Sequence, residues 1–192
     1  MLDHFGMLAP VYEKFIKPKE PERLIELLEL PAGGRLLDVG GGTGRVSGFL
    51  VDLVDEIIIA DLSRKMLNQS HSKSGLLPVC SHAEKLPFQE ETFERVMMID
   101  ALHHVCDQSQ TAAELWRVLK PGGLIVIEEP NIQHWGVKLV ALGEKLALMR
   151  SHFLAAGQIQ GLFLAPQREV TIHHDDYISR IVIRKKRNPE SA

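Results

Sequence analysis

Residues 35–47 read RLLDVGGGTGRVS, a short apolar run that breaks into three glycines, a threonine and a fourth glycine. Leu36, Leu37 and Val39 mark a buried strand that has to stop abruptly. Gly40, Gly41, Gly42 and Gly44 lack a Cβ, so they tolerate positive φ and let a bound molecule touch the main chain. A helix expected to follow would turn its unpaired N–H groups toward the same place. The stretch therefore predicts a nucleotide-type site at the end of a first parallel strand.

Its details select the ligand. A dinucleotide fingerprint counted from Gly40 and Gly42 needs Gly or Ala at position 45. Arg45 stands there instead and would crowd the close helix-to-strand contact. Asp38, two residues before the first glycine, would repel a pyrophosphate and suits a ligand carrying positive charge. The string D-V-G-G-G-T-G resembles the first motif of the class I S-adenosylmethionine-dependent methyltransferases, whose ligand has an ammonium and a sulfonium and no phosphate.

Composition narrows the class. The chain has 192 residues, 45% of them hydrophobic, which predicts one domain over 1–192 with a full core. A net charge of −3 gives no global pull toward nucleic acid or anionic lipid, so no nucleic-acid partner is expected. The opening MLDHFGMLAPVY lacks the basic and apolar blocks of a leader, and no run approaches the roughly 18 apolar residues of a transmembrane segment. Cys80 and Cys106 are too few and too far apart for a disulfide or metal framework, so no metal site is expected. These features predict a cytoplasmic protein; oligomeric state does not follow from them.

The remaining pattern alternates helices and strands. Pro21 opens a helix that puts Leu24, Leu27 and Leu28 on one face, and Pro31 closes it. Val46, Phe49, Leu50 and Leu53 suit a helix after the glycines, and EIIIA at 56–60 reads as a strand buried on both faces. Asp61 follows at its tip, where a doubly wound fold hydrogen-bonds ribose hydroxyls. A helix over 63–70, a strand LLPVC and a fourth strand at 96–99 come next. Asp107 and Gln110 form a capping box for a helix bearing Ala112, Leu115, Val118 and Leu119, and a Pro-Gly-Gly turn leads into a fifth strand. Trp135, Leu139, Leu142, Leu146 and Met149 stripe a helix over 134–150, and a shorter helix lies within 152–163. REVTIHH and YISRIVIRKK read as two strands, with a solvated basic end at 184–187 and a polar turn rather than a metal cluster at His173, His174, Asp175 and Asp176.

Three further segments extend the resemblance across residues 5–185. FGMLAPVYEKF at 5–15 resembles the F-x-x-x-A-x-x-Y-(D/E) lead-in of quinone-type and lipid-type methyltransferases; SHAEKLPF at 81–88 resembles D-A-E-x-L-P-F; RVLKPGG at 117–123 resembles that family's helix-to-strand turn. The group includes ubiquinone- and menaquinone-biosynthesis C-methyltransferases. The resemblance implies an α/β, Rossmann-like, doubly wound seven-stranded sheet, mostly parallel, with a C-terminal antiparallel hairpin. It implies S-adenosylmethionine as cofactor, S-adenosylhomocysteine as product and a small-molecule methyl acceptor that is partly apolar.

Residue by residue, it implies Asp38 for the methionyl ammonium and the backbone of Gly40, Gly41, Gly42 and Gly44 for the carboxylate and sugar side. Asp61 would hold the ribose, and Leu62 and Met66 would flank the adenine. Ala83 and Glu84 match the adenine segment, but His82 stands where the family places an acidic residue; a neutral imidazole nitrogen can still accept from the adenine amino group. Tyr12 on the 1–20 arm would cover the cofactor, and the 131–165 helical segment would form part of the acceptor pocket. Asp100, His103 and His104 are the candidate catalytic bases, Asp100 also a candidate cofactor contact. Two other readings are a nicotinamide-dependent oxidoreductase, opposed by Arg45, and a catalytically silent cofactor-binding protein. IDAL at 99–102 lacks the N/D-P-P-Y/F signature of amino-methylating DNA enzymes.

Overall fold

The protein is described here from a computed structural model over residues 21–135, 137–138, 151–175 and 177–187. The 1–20 arm with Tyr12, and residues 139–150 of the expected long helix, lie outside the described residues.

Short apolar runs bounded by glycine, proline and acidic residues become seven strands: β1 (Arg35–Val39), β2 (Glu56–Asp61), β3 (Leu76–Cys80), β4 (Phe93–Ile99), β5 (Leu119–Pro130), β6 (Arg168–Asp175) and β7 (Ile178–Lys185). They form one sheet in the order β3-β2-β1-β4-β5-β7-β6. The first five strands pair in parallel, and β7 runs antiparallel to both β5 and β6. This is the expected mostly parallel sheet with a closing antiparallel hairpin. Strand order reverses between β1 and β4, the switch point at which an open α/β sheet leaves a crevice beyond the strands' carboxyl ends.

Alternation along the strands builds two cores. Leu37, Val39, Val96, Met98, Ile125 and Ile127 pack on one face with Leu115 and Val118 of α3 (Gln108–Val118) and Ile159 of α4 (Ala156–Leu162). Leu36, Ile57, Ile59, Met97 and Val126 pack on the other with Leu24 and Leu27 of α1 (Pro21–Leu27) and Leu67 of α2 (Arg64–His71). Adjacent residues such as Leu36 and Leu37 thus serve opposite layers, which is why the strands read as continuous apolar runs. Among the described residues no helix is long and apolar enough to cross a membrane.

Two local readings change. The helix expected after the glycines is replaced by two short 3-10 turns, Ser47–Phe49 and Val51–Leu53. The buried Ser47 hydroxyl is drawn inward to Asp38, Gly48 follows it, and β-branched Val51 and Val54 lower the helical preference of the little chain left before β2. At the basic end Arg184 and Lys185 are tied down, whereas Lys186 and Arg187 are exposed as expected. Arg184 pairs with Glu29, and Lys185 Nζ donates to the Leu119 carbonyl at 2.8 Å, because β7 is an interior strand with neighbours on both sides.

Gly40 occupies a tight crossing between the loop and the turn beyond β4. Its φ is +74°, and a Cβ there would lie 2.5 Å from the Ala101 Cβ. Gly40→Ala is expected to lower stability by about 2–4 kcal/mol, from left-handed strain and overpacking together. Ala101→Gly in the same chain should return part of that loss. Urea midpoints for the single and double variants check it; equal destabilisation with and without Ala101→Gly would exclude the collision as the cause.

Candidate functional site

At the carboxyl end of β2, the partly exposed Asp61 carboxylate grips the glycine loop from the side. Oδ2 accepts from the Gly42 N–H at 2.9 Å and Oδ1 from the Ser63 N–H at 2.7 Å. A carboxylate has about four acceptor positions. Leu62 beside it is 55% exposed, whereas Met66 is buried, its sulfur 2.9 Å from where a Cβ on Gly42 would sit. Met66 therefore supports the loop from below, and Leu62 is the apolar side chain at the surface.

Asp38 lies beneath the loop. It is 2% exposed, accepts from the Ser47 hydroxyl at 2.6 Å, and lies so close that a Cβ on Gly41 would fall 2.3 Å from its oxygen. Burial pushes its carboxyl up to about 7; the Ser47 bond works against burial, and the charge of Asp61 adds to it. Asp38 is thus a buried acid that lacks a full positive partner at contact distance among the described residues. A cation delivered to the loop is what would favour its ionised form.

The 81–88 segment is pinned from α3. Glu84 Oε1 accepts from the N–H groups of Cys106 (2.9 Å) and Asp107 (3.3 Å), so its carboxylate secures the approach to that helix. His82 is exposed, 3.9 Å from Glu84, and Ala83 packs partly against the main core. Glu114 accepts from the Leu86 N–H at 2.8 Å, while Arg117 donates to the Leu86 and Phe88 carbonyls. The Asp107 cap is formed, with the Gln110 N–H donating to its carboxylate at 2.9 Å.

Beyond β4 the chain makes a strained turn. Asp100 has φ +51°, a left-handed conformation that Asp tolerates better than most residues, and its N–H bonds the Glu128 carbonyl at 2.9 Å. Burial, then Glu129 and Glu128, push its carboxyl up to about 6. His103 is 4% exposed, with Nδ1 2.6 Å from the Glu129 carboxylate. His104 is half-buried, its Nδ1 3.3 Å from the Ser151 hydroxyl, and burial followed by the His103 charge pushes its imidazole down to about 3. It stays neutral at physiological pH and is a weak base.

Sequence reasoning passed over Glu129 and Arg180. Glu129 is 3% exposed and holds the Ala101, Leu102 and His103 turn. Its strand neighbour Glu128 faces the other way and accepts from Arg180, 2% exposed on β7, at 2.6 Å. The available signal was a pair of acids closing an apolar strand and an arginine inside another.

Residues 37–127 match a family described as a methyltransferase domain. The ubiquinone/menaquinone biosynthesis C-methyltransferase UbiE of Vibrio vulnificus (strain YJ016) is 36% identical over 107 residues, 50% of this chain and 41% of that protein. The chain thus spans less than half the length of that curated relative. Among solved structures, a SAM-dependent methyltransferase of Thermotoga maritima superposes with a TM-score of 0.78 at 20% identity, covering 95% of this chain and 98% of that one. The [4+2]-cyclase SpnF superposes with a TM-score of 0.79 at 16% identity, covering 96% and 95%. The fold is therefore shared with an enzyme of different chemistry. The match to that methyltransferase-domain family covers residues 37–127, just under half of the chain, and the sheet that carries it is shared with these solved structures.

The buried acid under the loop generates a pH prediction. Above its ordinary value of 3.8, Asp38 keeps in the folded state a proton that the unfolded chain has released. Stability therefore falls as pH rises from about 4 to about 7 and then levels, by at most about 1.4 kcal/mol per pH unit from this group. Asp38→Asn keeps an acceptor for Ser47 and should flatten that fall, leaving the smaller share of Asp100. Urea midpoints between pH 4.5 and 8 measure it, and parallel curves for the two proteins would contradict the assignment.

Proposed function

We propose that the chain transfers a methyl group from S-adenosylmethionine to a small, partly apolar acceptor. The observation that carries this reading is the Asp61 carboxylate clamped to the Gly42 N–H at the carboxyl end of β2, next to a buried acid under the same loop. The donor set fits that cofactor: a carboxylate for ribose hydroxyls, an exposed leucine for a flat base, and an Asp38 whose raised affinity for its proton is relieved by a cationic ligand. The 3-10 turns after the loop also lack the long helix whose N-terminus would favour a pyrophosphate.

In this reading Asp61 orients the ribose, and the backbone of Gly40, Gly41, Gly42 and Gly44 lies along the sugar and amino-acid side. Leu62 covers one side of the adenine, and His82, Ala83 and Glu84 border its edge, with Met66 supporting the loop. Asp38 acts from beneath on the methionyl ammonium, and Asp100 lines the crevice between cofactor and acceptor. The bound cofactor supplies an electrophilic methyl group on a sulfonium. The protein's share is to hold acceptor and donor in line and to exclude water. The whole chain forms one catalytic unit, with the 1–20 arm, carrying Tyr12, and the 131–165 segment closing the site. The 36% identity to UbiE supports a finer statement: the acceptor is a hydroxylated quinone-type ring methylated at carbon.

Calorimetric titration tests the cofactor. Wild type should bind S-adenosylmethionine and S-adenosylhomocysteine with dissociation constants on the order of micromolar and should not bind NADH. Asp61→Ala should weaken adenosyl binding by roughly 30-fold or more, since a charged hydrogen-bonding partner of the ribose is lost. Binding of NADH without binding of either adenosyl ligand would overturn the reading.

A further inference from the structure

Glu129 gathers donors from three successive residues. Oε1 accepts from the N–H groups of Ala101 (3.1 Å) and Leu102 (2.8 Å), and Oε2 faces His103 Nδ1 at 2.6 Å. In its ionised form Glu129 can only accept, so Nδ1 is the ring nitrogen that carries the proton. In the neutral ring Nε2 is then the basic nitrogen.

The surroundings lock this ring. Phe153 stacks on it with centroids 4.3 Å apart and planes at 15°, and the His104 ring lies 3.9 Å away, tilted at 49°. The His103 carbonyl accepts from the His152 N–H at 2.7 Å, and Gln108 bridges the Leu102 and His152 carbonyls. On the other side, Ala101 presses against Gly40 of the cofactor loop. One carboxylate thus fixes a turn that touches the cofactor loop at one end and residues 151–153, within the proposed acceptor-side segment, at the other.

We propose that His103 and Glu129 form a proton-accepting dyad for the methyl acceptor, with Glu129 as the positioning residue that sets the imidazole tautomer. The inference rests on the methyl-transfer reading above. The O–H bond of a ring hydroxyl breaks, its proton passes to His103 Nε2, and the electron pair stays on the acceptor, delocalised to the ring carbon. That carbon forms the new bond to the methyl carbon, whose bond to sulfur breaks with its pair left on sulfur. The ring C–H proton then leaves to solvent as the hydroxyl oxygen regains a proton from the imidazolium. Glu129 stabilises the imidazolium between these events, as a carboxylate beside a general-base histidine does. His104, a weak base beside it, does not replace it.

Glu129→Gln separates this role from support of the turn. The amide oxygen must face the Ala101 and Leu102 N–H donors, so its NH2 group donates to Nδ1 and forces the ring proton onto Nε2. Nitrogen NMR of labelled histidines, with S-adenosylhomocysteine bound, should show the Nδ1–H tautomer for His103 in wild type and the Nε2–H tautomer in the variant. S-adenosylmethionine affinity should stay within roughly threefold, while methylation of reduced 1,4-naphthoquinone should fall roughly a hundredfold or more. If Glu129→Gln does not fold, His103→Gln should show the same loss of turnover with cofactor affinity retained. An Nε2–H ring in wild type, or a variant turning over within roughly threefold of it, overturns the dyad. A wild type that binds S-adenosylmethionine but leaves the hydroquinone unmethylated also overturns it, with the cofactor reading intact. A wild type that binds no adenosyl ligand fails the reading itself.

Discussion

The carboxyl end of this sheet depends on one steric constraint: the glycine loop has to pass between β2 and β4 with no room for a Cβ at Gly40, Gly41 or Gly44. Gly40 abuts Ala101, Gly41 covers the Asp38 carboxylate and Ile59, and Gly44 sits against Leu76 and Ile59. The glycines are therefore required first by contacts inside the protein. Close backbone approach to a ligand is a second use of a loop already pressed flat. This explains why a G-rich string survives here without the following long helix that such loops commonly lead into.

Acidic groups hold that compressed region in place by accepting from backbone and side-chain donors. Asp61 uses backbone N–H groups, Asp38 a serine hydroxyl, and Glu129 two backbone N–H groups and an imidazole. The resulting negative character is uneven. Asp38 and Asp100 have their carboxyls pushed up into the range of about 6–7 by burial and by one another's kind. A site built this way disfavours anionic ligands and gains from a positive one, since a bound cation offsets repulsion that the folded chain otherwise retains.

Strand-level features were legible because burial on both faces leaves an unmistakable apolar run. EIIIA, the 96–99 segment and YISRIVIRKK all became strands, and the Asp107 cap formed where its spacing predicted. The 3-10 turns after the loop were not legible. Apolar spacing at 46, 49, 50 and 53 satisfies a helix, but the Ser47 bond to Asp38 and the short span to β2 are facts of tertiary structure. Arg184 and Lys185 looked like a charged tail because their acidic and carbonyl partners lie far away in sequence.

Glu128 and Glu129 show the same limit at the level of chemistry. Side by side, they read as the polar end of a strand. In the sheet, period-two alternation sends one to Arg180 on β7 and the other to His103 beyond β4, so neighbours in sequence serve opposite layers. The Arg180 pair fastens the antiparallel hairpin to the parallel sheet, and the His103 pair fastens the turn beside the glycine loop. Removing Glu129 would leave the buried Ala101 and Leu102 N–H groups without that acceptor, which costs more than the bonds themselves contribute. A β5 strand that ends in two acids is thus the place where sheet assembly and site assembly meet, one residue apart.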